Sequence, residues 1–317
     1  LYGGADNDLI FGGLNNDEIH GDAGADEIYG EEGDDRLYGG DDADALFGGI
    51  GNDEIFGEDG ADYAEGNEGE DNIFGGFGND VLLGDEGEDY IDGGLNNDQL
   101  FGGDQNDLLL GNGGSDFIEG GEGGDTIYGH LSMDGDDVEA IETIYGDAGN
   151  DLIVGNRYDD FIEGGTGDDT IHALAGNDWV AGGFGDDEIF GNAGRDVIWG
   201  GFAGGELFPE DFDPAQVSNF ELPPSYLEIE ALYPTGYLPP LITPTALNGQ
   251  NVEGRLGDGK DILRGGEDGD FLFGGDEADR ILGSFGNDYI DAGAGDDIDV
   301  HGGLGDDVVR GLSLIHI

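Results

Sequence analysis

Aspartate recurs at a fixed step along this chain. The first run is Asp8, Asp17, Asp26, Asp35, Asp44, Asp53, Asp62, Asp71, Asp80, Asp89, Asp98, Asp107, Asp116 and Asp125. The step of nine resumes at Asp151, Asp160, Asp169, Asp178, Asp187 and Asp196, then at Asp261, Asp270, Asp279, Asp288 and Asp297, and ends at Asp307 after one extra residue. Carboxylates repeated in this way, if stacked by the fold, form a like-charge ladder that repels itself. A divalent cation between rungs turns that repulsion into ligation. The spacing therefore points to metal binding at many equivalent sites.

The elements that must place these carboxylates follow from the rest of the repeat. Numbering each unit from Gly3, as in Gly48-Gly49-Ile50-Gly51-Asn52-Asp53-Glu54-Ile55-Phe56, aspartate is position six in twenty-six units. Glycine at positions one, two and four supplies the left-handed or crowded backbone of a tight turn. Positions seven to nine are expected to be a three-residue strand, with position eight facing inward. That position is Ile, Leu or Val in twenty-four units; Ala64 and Asp299 are the exceptions. Two units make an eighteen-residue coil, and coils stack as parallel strands about 4.8 Å apart. The expected fold is all-β: a parallel β-roll of short strands and Gly/Asp turns. Turn carbonyls left free by glycine would join the carboxylates in an all-oxygen cage. Such a flexible cage suits several Ca²⁺ ions better than Mg²⁺, which demands a smaller octahedron.

Composition narrows the function classes. The chain has 317 residues, 76 acidic against 8 Lys and Arg, and a formal charge of −68. Such a charge repels nucleic acid and anionic membranes. Hydrophobic residues still make up 36 %, too many for a plain acidic tail, so neutralisation must precede burial. With no cysteine, a bound metal is the available staple. No stretch reaches the roughly 18 apolar residues of a membrane span. The five His form no metal-spaced pair, and no Gly-x-Ser-x-Gly elbow appears, so no catalysis is expected. Close carboxylate pairs are everywhere and diagnose nothing.

The unit resembles the RTX (hemolysin-type) calcium-binding repeat, Gly-Gly-x-Gly-x-Asp-x-U-x with U aliphatic. The resemblance implies a calcium β-roll in a secreted, extracellular bacterial protein exported by type I secretion machinery. It implies a chain unfolded at low cytosolic calcium and folded outside, with the twenty-six aspartates as ligands. Some units depart from the pattern. Tyr158 and Glu277 stand at position four, and Ala173, Leu256 and Ala292 replace the first glycine. Asp299 falls at position eight, where a one-residue slip would reverse every side chain, and His301 reads as the extra residue that restores register.

The organisation expected is a first roll block over 1–128, a loop-bearing repeat over 129–145, and a second block over 146–208. A Pro- and aromatic-rich insert over 209–255, a third block over 256–311 and a non-native tail over 312–317 complete it. Within the second block, Gly200 to Phe208 reads as a coil with a vacant site, since Gly205 stands where aspartate belongs. The insert holds all eight prolines and reads either as a cover for an end of the roll or as a loop for a partner or sugar. Aromatics at position nine (Phe11, Tyr29, Tyr38, Phe47, Phe56, Phe74, Phe101, Tyr128) would stack into stripes, either as packing or as a carbohydrate or cell-surface face. Because the chain opens mid-pattern, both native ends are expected to lie beyond it. Two readings of the parent stand: an adhesin- or toxin-like exoprotein, or a secreted hydrolase or polysaccharide-modifying enzyme whose catalytic domain lies upstream.

Overall fold

The computed structural model describes residues 1–130, 141–201, 260–275, 278–293 and 296–311. Among the described residues there are twenty-eight strands and no helix. Strands alternate in chain order between two fourteen-stranded sheets. All pairing is parallel, and each strand lies between its counterparts one coil before and one coil after. The strand Glu54–Asp59 sits between Arg36–Asp41 and Asn72–Phe77, with Ile55 opposite Leu37 and Ile73. This is the expected roll.

Its strands are longer than expected. Most have six residues, running from position seven into position three of the next unit. The ladder simply continues past position nine, because position one is also inward and buried, as in the pattern of Glu54–Asp59. Turning is confined to two residues. Positions two and four take positive φ, as at Gly49 (117°) and Gly51 (137°). Non-glycine residues accept this geometry at Glu31 and Glu58, whose side chains are exposed, and at Asn67 and Asp85, which are half-buried and hydrogen-bonded to each other. Position one does not have positive φ. It is glycine because the space is taken, as shown below.

The core is a file of position-eight side chains, fully buried from Ile19 through Ile290. Ala64 keeps its place in that file between Leu46 and Leu82. Sequence-adjacent coils are thus joined by one continuous apolar row, as in other solenoids. A second buried cluster lies on the outward face of one sheet. It consists of Val197, Phe271 and Phe273, with Trp179, Trp199 and Tyr289 packed against them. These are positions seven and nine, which in most other units are half-buried or exposed.

Three features of register correct the sequence reading. The first concerns residues 200 to 261. The strand Glu188–Ala193 pairs directly with Ile262–Glu267, so the coil continues across the insertion. Gly200 serves as position one for Asp261: a methyl group placed on Gly200 would meet that carboxylate and the carbonyl oxygen of Gly274, 2.7 Å away. Gly200 therefore does not open a separate coil with a vacant site; Leu256 lies outside the described residues. The turn glycines lie on one side of the insertion and the aspartate on the other. The second correction is at the end of the chain. Leu282 pairs with His301, which makes His301 an ordinary position nine. Asp299 is the extra residue; it takes φ 55°, points outward and pairs with Arg280 at 3.3 Å. Val300 then packs on the core in the place of position eight. One added residue absorbed in this way is a β-bulge, and no coil is reversed.

The third is at Tyr158, which stands at position four in place of glycine. Neither Asn156 nor Tyr158 has positive φ. The Tyr158 N–H instead donates to Asn156 Oδ1 at 2.6 Å, closing a local side-chain turn. Glu277, the insert over 209–255 and the tail over 312–317 lie outside the described residues. So do residues 202–208.

Candidate metal centre

The position-six aspartates form two ladders, one along each turn edge of the roll. One edge carries Asp8, Asp26, Asp44, Asp62, Asp80, Asp98, Asp116, Asp160, Asp178, Asp196, Asp270, Asp288 and Asp307. The other carries Asp17, Asp35, Asp53, Asp71, Asp89, Asp107, Asp125, Asp151, Asp169, Asp187, Asp261, Asp279 and Asp297. Rungs are linked by one repeated hydrogen bond. Along each ladder, with the exception of Asp116 and the last rungs, the N–H of an aspartate donates to Oδ1 of the aspartate one coil later, as from Asp53 to Asp71 (2.7 Å) and from Asp71 to Asp89 (2.8 Å). Only the end rungs, Asp8, Asp17, Asp297 and Asp307, are half-exposed. Interior rungs are buried, Asp53 to 1 % exposure.

The second oxygen of many of these carboxylates has no such donor. Oδ2 of Asp26, Asp53, Asp71, Asp98, Asp125, Asp151, Asp187 and Asp270 is buried without a hydrogen-bond partner. A buried carboxylate oxygen left this way is expensive. Each Oδ2 faces the same feature: the bare Cα of the position-one glycine in its own unit. A methyl group placed on Gly57 would stand 2.5 Å from Asp62 Oδ2 and 2.6 Å from the carbonyl oxygen of Gly75 in the next coil. On Gly93 it would stand 2.6 Å from Asp98 Oδ2 and 3.0 Å from the carbonyl oxygen of Gly111. Oxygens from two successive coils therefore crowd a Cα that must stay bare, because a methyl there would collide with them.

Oδ1 faces a second carbonyl. A methyl on Gly78 would overlap the carbonyl oxygen of Gly60 and lie 3.1 Å from Asp80 Oδ1. Among the described residues, the equivalent carbonyls of Gly33, Gly51 and Gly69 accept no hydrogen bond. The donor set at each turn is thus carboxylate plus backbone carbonyl, contributed one carboxylate per coil. No group of three or more acidic or histidine side chains gathers at one point among the described residues. That fits a site repeated along an edge rather than a side-chain cage. An all-oxygen, non-rigid set of this kind matches a hard cation of Ca²⁺ type.

Without a cation, the electrostatics oppose ionisation. Burial pushes Asp62 and Asp71 up to about 7, Asp107 to about 8, and Asp98 to about 9. The N–H from the preceding rung lowers each value, and repulsion from neighbouring rungs raises it again. Asp178 also reaches about 9, through burial and then the charge of Asp196. One hydrogen bond per rung does not offset the loss of water.

Two contributors were missed in the sequence. Glu142 occupies a rung between Asp116 and Asp160. Asp116 N–H donates to Glu142 Oε2 at 2.8 Å, and Glu142 N–H donates to Asp160 Oδ1 at 3.0 Å. Its frame is legible only by counting back nine residues from Asp151, because counting forward from Asp125 runs into the eight added residues. The other is position five, whose Asn and Asp side chains build a second ladder in the opposite sense. Glu70 N–H donates to Asn52 Oδ1 (3.2 Å), and Asn97 N–H to Asn79 Oδ1 (3.2 Å). Frequent Asn at that position was the available signal.

Gly57→Ala is expected to lower the number of calcium ions bound at saturation by at least one, since the added methyl fills the space beside Asp62. Gly113→Ala is the matched control, because its methyl meets only the movable tip of Leu95 and the stoichiometry should not change. Equilibrium dialysis of both variants checks this.

The RTX calcium-binding nonapeptide repeat, as a four-copy family model, matches the chain many times. The matched stretches are 2–37, 12–46, 29–64, 38–73, 65–100, 101–131, 145–180, 172–203, 256–288, 264–299 and 273–309. They flank both insertions and together take in most of the chain. No curated protein matches it.

Proposed function

The chain belongs to the RTX calcium-binding nonapeptide repeat family, and from that premise we propose that it is the calcium-folded repeat region of a secreted bacterial exoprotein, adhesin- or toxin-like, without catalysis of its own. One observation carries the reading: the buried Oδ2 without a donor, packed against a bare glycine Cα and close to a carbonyl oxygen of the next coil, repeated along both edges. The position-six carboxylates would hold Ca²⁺ together with the turn carbonyls of adjoining coils. Bound there, the ion supplies the positive charge that lets buried aspartates stay ionised. Everything else belongs to the chain. Glycines at positions two and four set the turns, position eight closes the core, and the N–H to Oδ1 bonds fix rung spacing.

Coupling of this kind suits export. A chain with a formal charge of −68 stays extended where calcium is scarce and folds where it is plentiful. Passage through type I secretion machinery as an unfolded chain is consistent with that behaviour. No helix among the described residues is long and apolar enough to cross a membrane.

Asp53→Asn tests the reading. The variant is expected to bind fewer calcium ions and to lose hydrogen-exchange protection in the coils around Ile55 and Ile73, while coils beyond Asp151 keep theirs. An unchanged ion count would remove position six from the ligand set. Loss of protection everywhere would mean the roll is not a chain of local sites.

A further inference from the structure

The calcium reading rests on an open carboxylate oxygen at each turn, and at one place both rungs are already closed by protein donors. At Glu142, Oε2 accepts the Asp116 N–H at 2.8 Å and Oε1 accepts the Asn156 side-chain amide at 2.8 Å. At Asp160, Oδ1 accepts the Glu142 N–H at 3.0 Å and Oδ2 accepts the Asn156 N–H at 2.7 Å. Elsewhere on the same edge, Asp98, Asp116 and Asp196 each keep a buried Oδ2 with no partner. Asn156 is itself buried, with 6 % exposure, and lies between the two carboxyl groups.

The spaces differ as well. A methyl on Gly129 would meet the Cγ of Glu142 at 2.9 Å, where regular turns present a carboxylate oxygen. The extra methylene of glutamate thus fills the space beside the glycine. In the next turn Gly155 keeps its bare Cα, 2.6 Å from Asp160 Oδ2 by the same measure, but that oxygen is already taken by the Asn156 N–H. Asn156 and Tyr158 replace the left-handed residues at positions two and four there. Their turn is closed by the Tyr158 N–H to Asn156 Oδ1 bond instead. One coil further, Ala173 puts its own methyl where other units have bare glycine. The opposite edge is regular at the same level: Asp151, Asp169 and Asp187 keep an Oδ2 without a donor, each packed against the bare Cα of Gly146, Gly164 and Gly182.

We propose that the Glu142–Asn156–Asp160 turn pair is a cation-free seam that divides one edge of the roll into two separate calcium arrays. Amide N–H groups here take the carboxylate oxygens that regular turns leave without a protein donor. The donors there are positive at the point where an ion would sit, so the turn repels a cation as well as lacking ligands for it. The array before the seam ends at Asp116, whose Oδ2 faces Gly111 and the Gly129 carbonyl (2.8 Å from the same point). A glycine-lined space with an unpartnered Oδ2 next recurs at Gly191 and Asp196, where the Gly265 carbonyl stands 2.8 Å from the methyl position. The seam lies beside the shorter insertion, so the coil holding the loop is closed by the chain alone.

The test counts ions bound to the whole chain at saturating calcium, by equilibrium dialysis, for Asp160→Asn beside Asp53→Asn, each checked for native β-structure by circular dichroism. The seam predicts an unchanged count for Asp160→Asn and a loss of at least one ion for Asp53→Asn. Equal losses in both overturn the seam and leave the ligand reading intact. No loss in either overturns the ligand reading itself. Should Asp160→Asn not fold, the combined change Glu142→Asp, Asn156→Gly and Tyr158→Gly rebuilds a regular turn. It is expected to gain at least one ion, and no gain overturns the seam.

Discussion

Stripped of calcium at about pH 7.5, the chain is expected to show the far-UV circular dichroism of an unfolded polypeptide, and added Ca²⁺ should convert it cooperatively to β-structure. The size of the effect follows from the rungs. Raising a buried carboxyl from its ordinary 3.8 to about 7, as at Asp62 and Asp71, corresponds to about 2–4 kcal/mol against the folded state at neutral pH once solvent screening is discounted. Asp107 and Asp98 carry more. A handful of such rungs exceeds the whole stability margin of a domain, about 5–15 kcal/mol. The aliphatic file cannot offset it, because each coil buries only two position-eight side chains. Calcium reverses the sign of the term by giving each Oδ2 a partner. Mg²⁺ at equal concentration should leave the chain unfolded, since mixed carboxylate and carbonyl oxygens on separate coils do not enforce a small octahedron. A calcium titration from chelator, with Mg²⁺ alongside, measures this directly. A full β-signal in chelator at that pH would mean that the buried carboxylates do not govern folding.

The parts of this fold that were legible in the sequence are those that repeat. Position six and position eight recur at a step of nine, and period alone places one at the turn and the other in the core. The missed parts lie where counting is interrupted. Glu142 was hidden because the added residues break the frame and the rung changes residue type there. Gly200 was read as opening its own unit because its aspartate partner, Asp261, stands beyond a long insertion, and only pairing of Glu188 with Ile262 shows the splice. At Asp299 the aliphatic Val300 was visible, but a one-residue shift can be absorbed on either side. A positive φ at Asp299 decides it. The position-one glycines were assigned partly to turn geometry, whereas their φ is ordinary and their reason is space, which no single sequence states. The outward cluster of Val197, Phe271 and Phe273 breaks no repeat rule and so left no signal.

Acid should do for the calcium-free chain part of what calcium does. Buried rungs have folded values above the unfolded value near 3.8: Asp44, Asp53, Asp80 and Asp89 at about 6, Asp62 and Asp71 at about 7, and Asp98 at about 9. A carboxyl raised in this way binds its proton more tightly in the folded state. Its contribution is therefore fully present below the unfolded value and is lost as pH rises through the folded one. In calcium-free buffer, β-structure should be present at about pH 4 and disappear between about pH 5 and 8. Glu119 and Glu163 on the outer sheet face, both pushed to about 7 by burial and then by the charge of Asp147, act in the same direction. Circular dichroism during a pH titration in chelator-treated buffer reads the transition, and the same titration at saturating calcium should stay flat across that window. A calcium-free chain unfolded at every pH would show that protonation cannot replace the ion. The steepness carries separate information, because the slope of stability against pH counts the protons taken up on folding. A transition completed within about one pH unit requires several rungs to protonate together, as expected if neighbouring coils fold only in company. A shallow one would mean that single coils close independently.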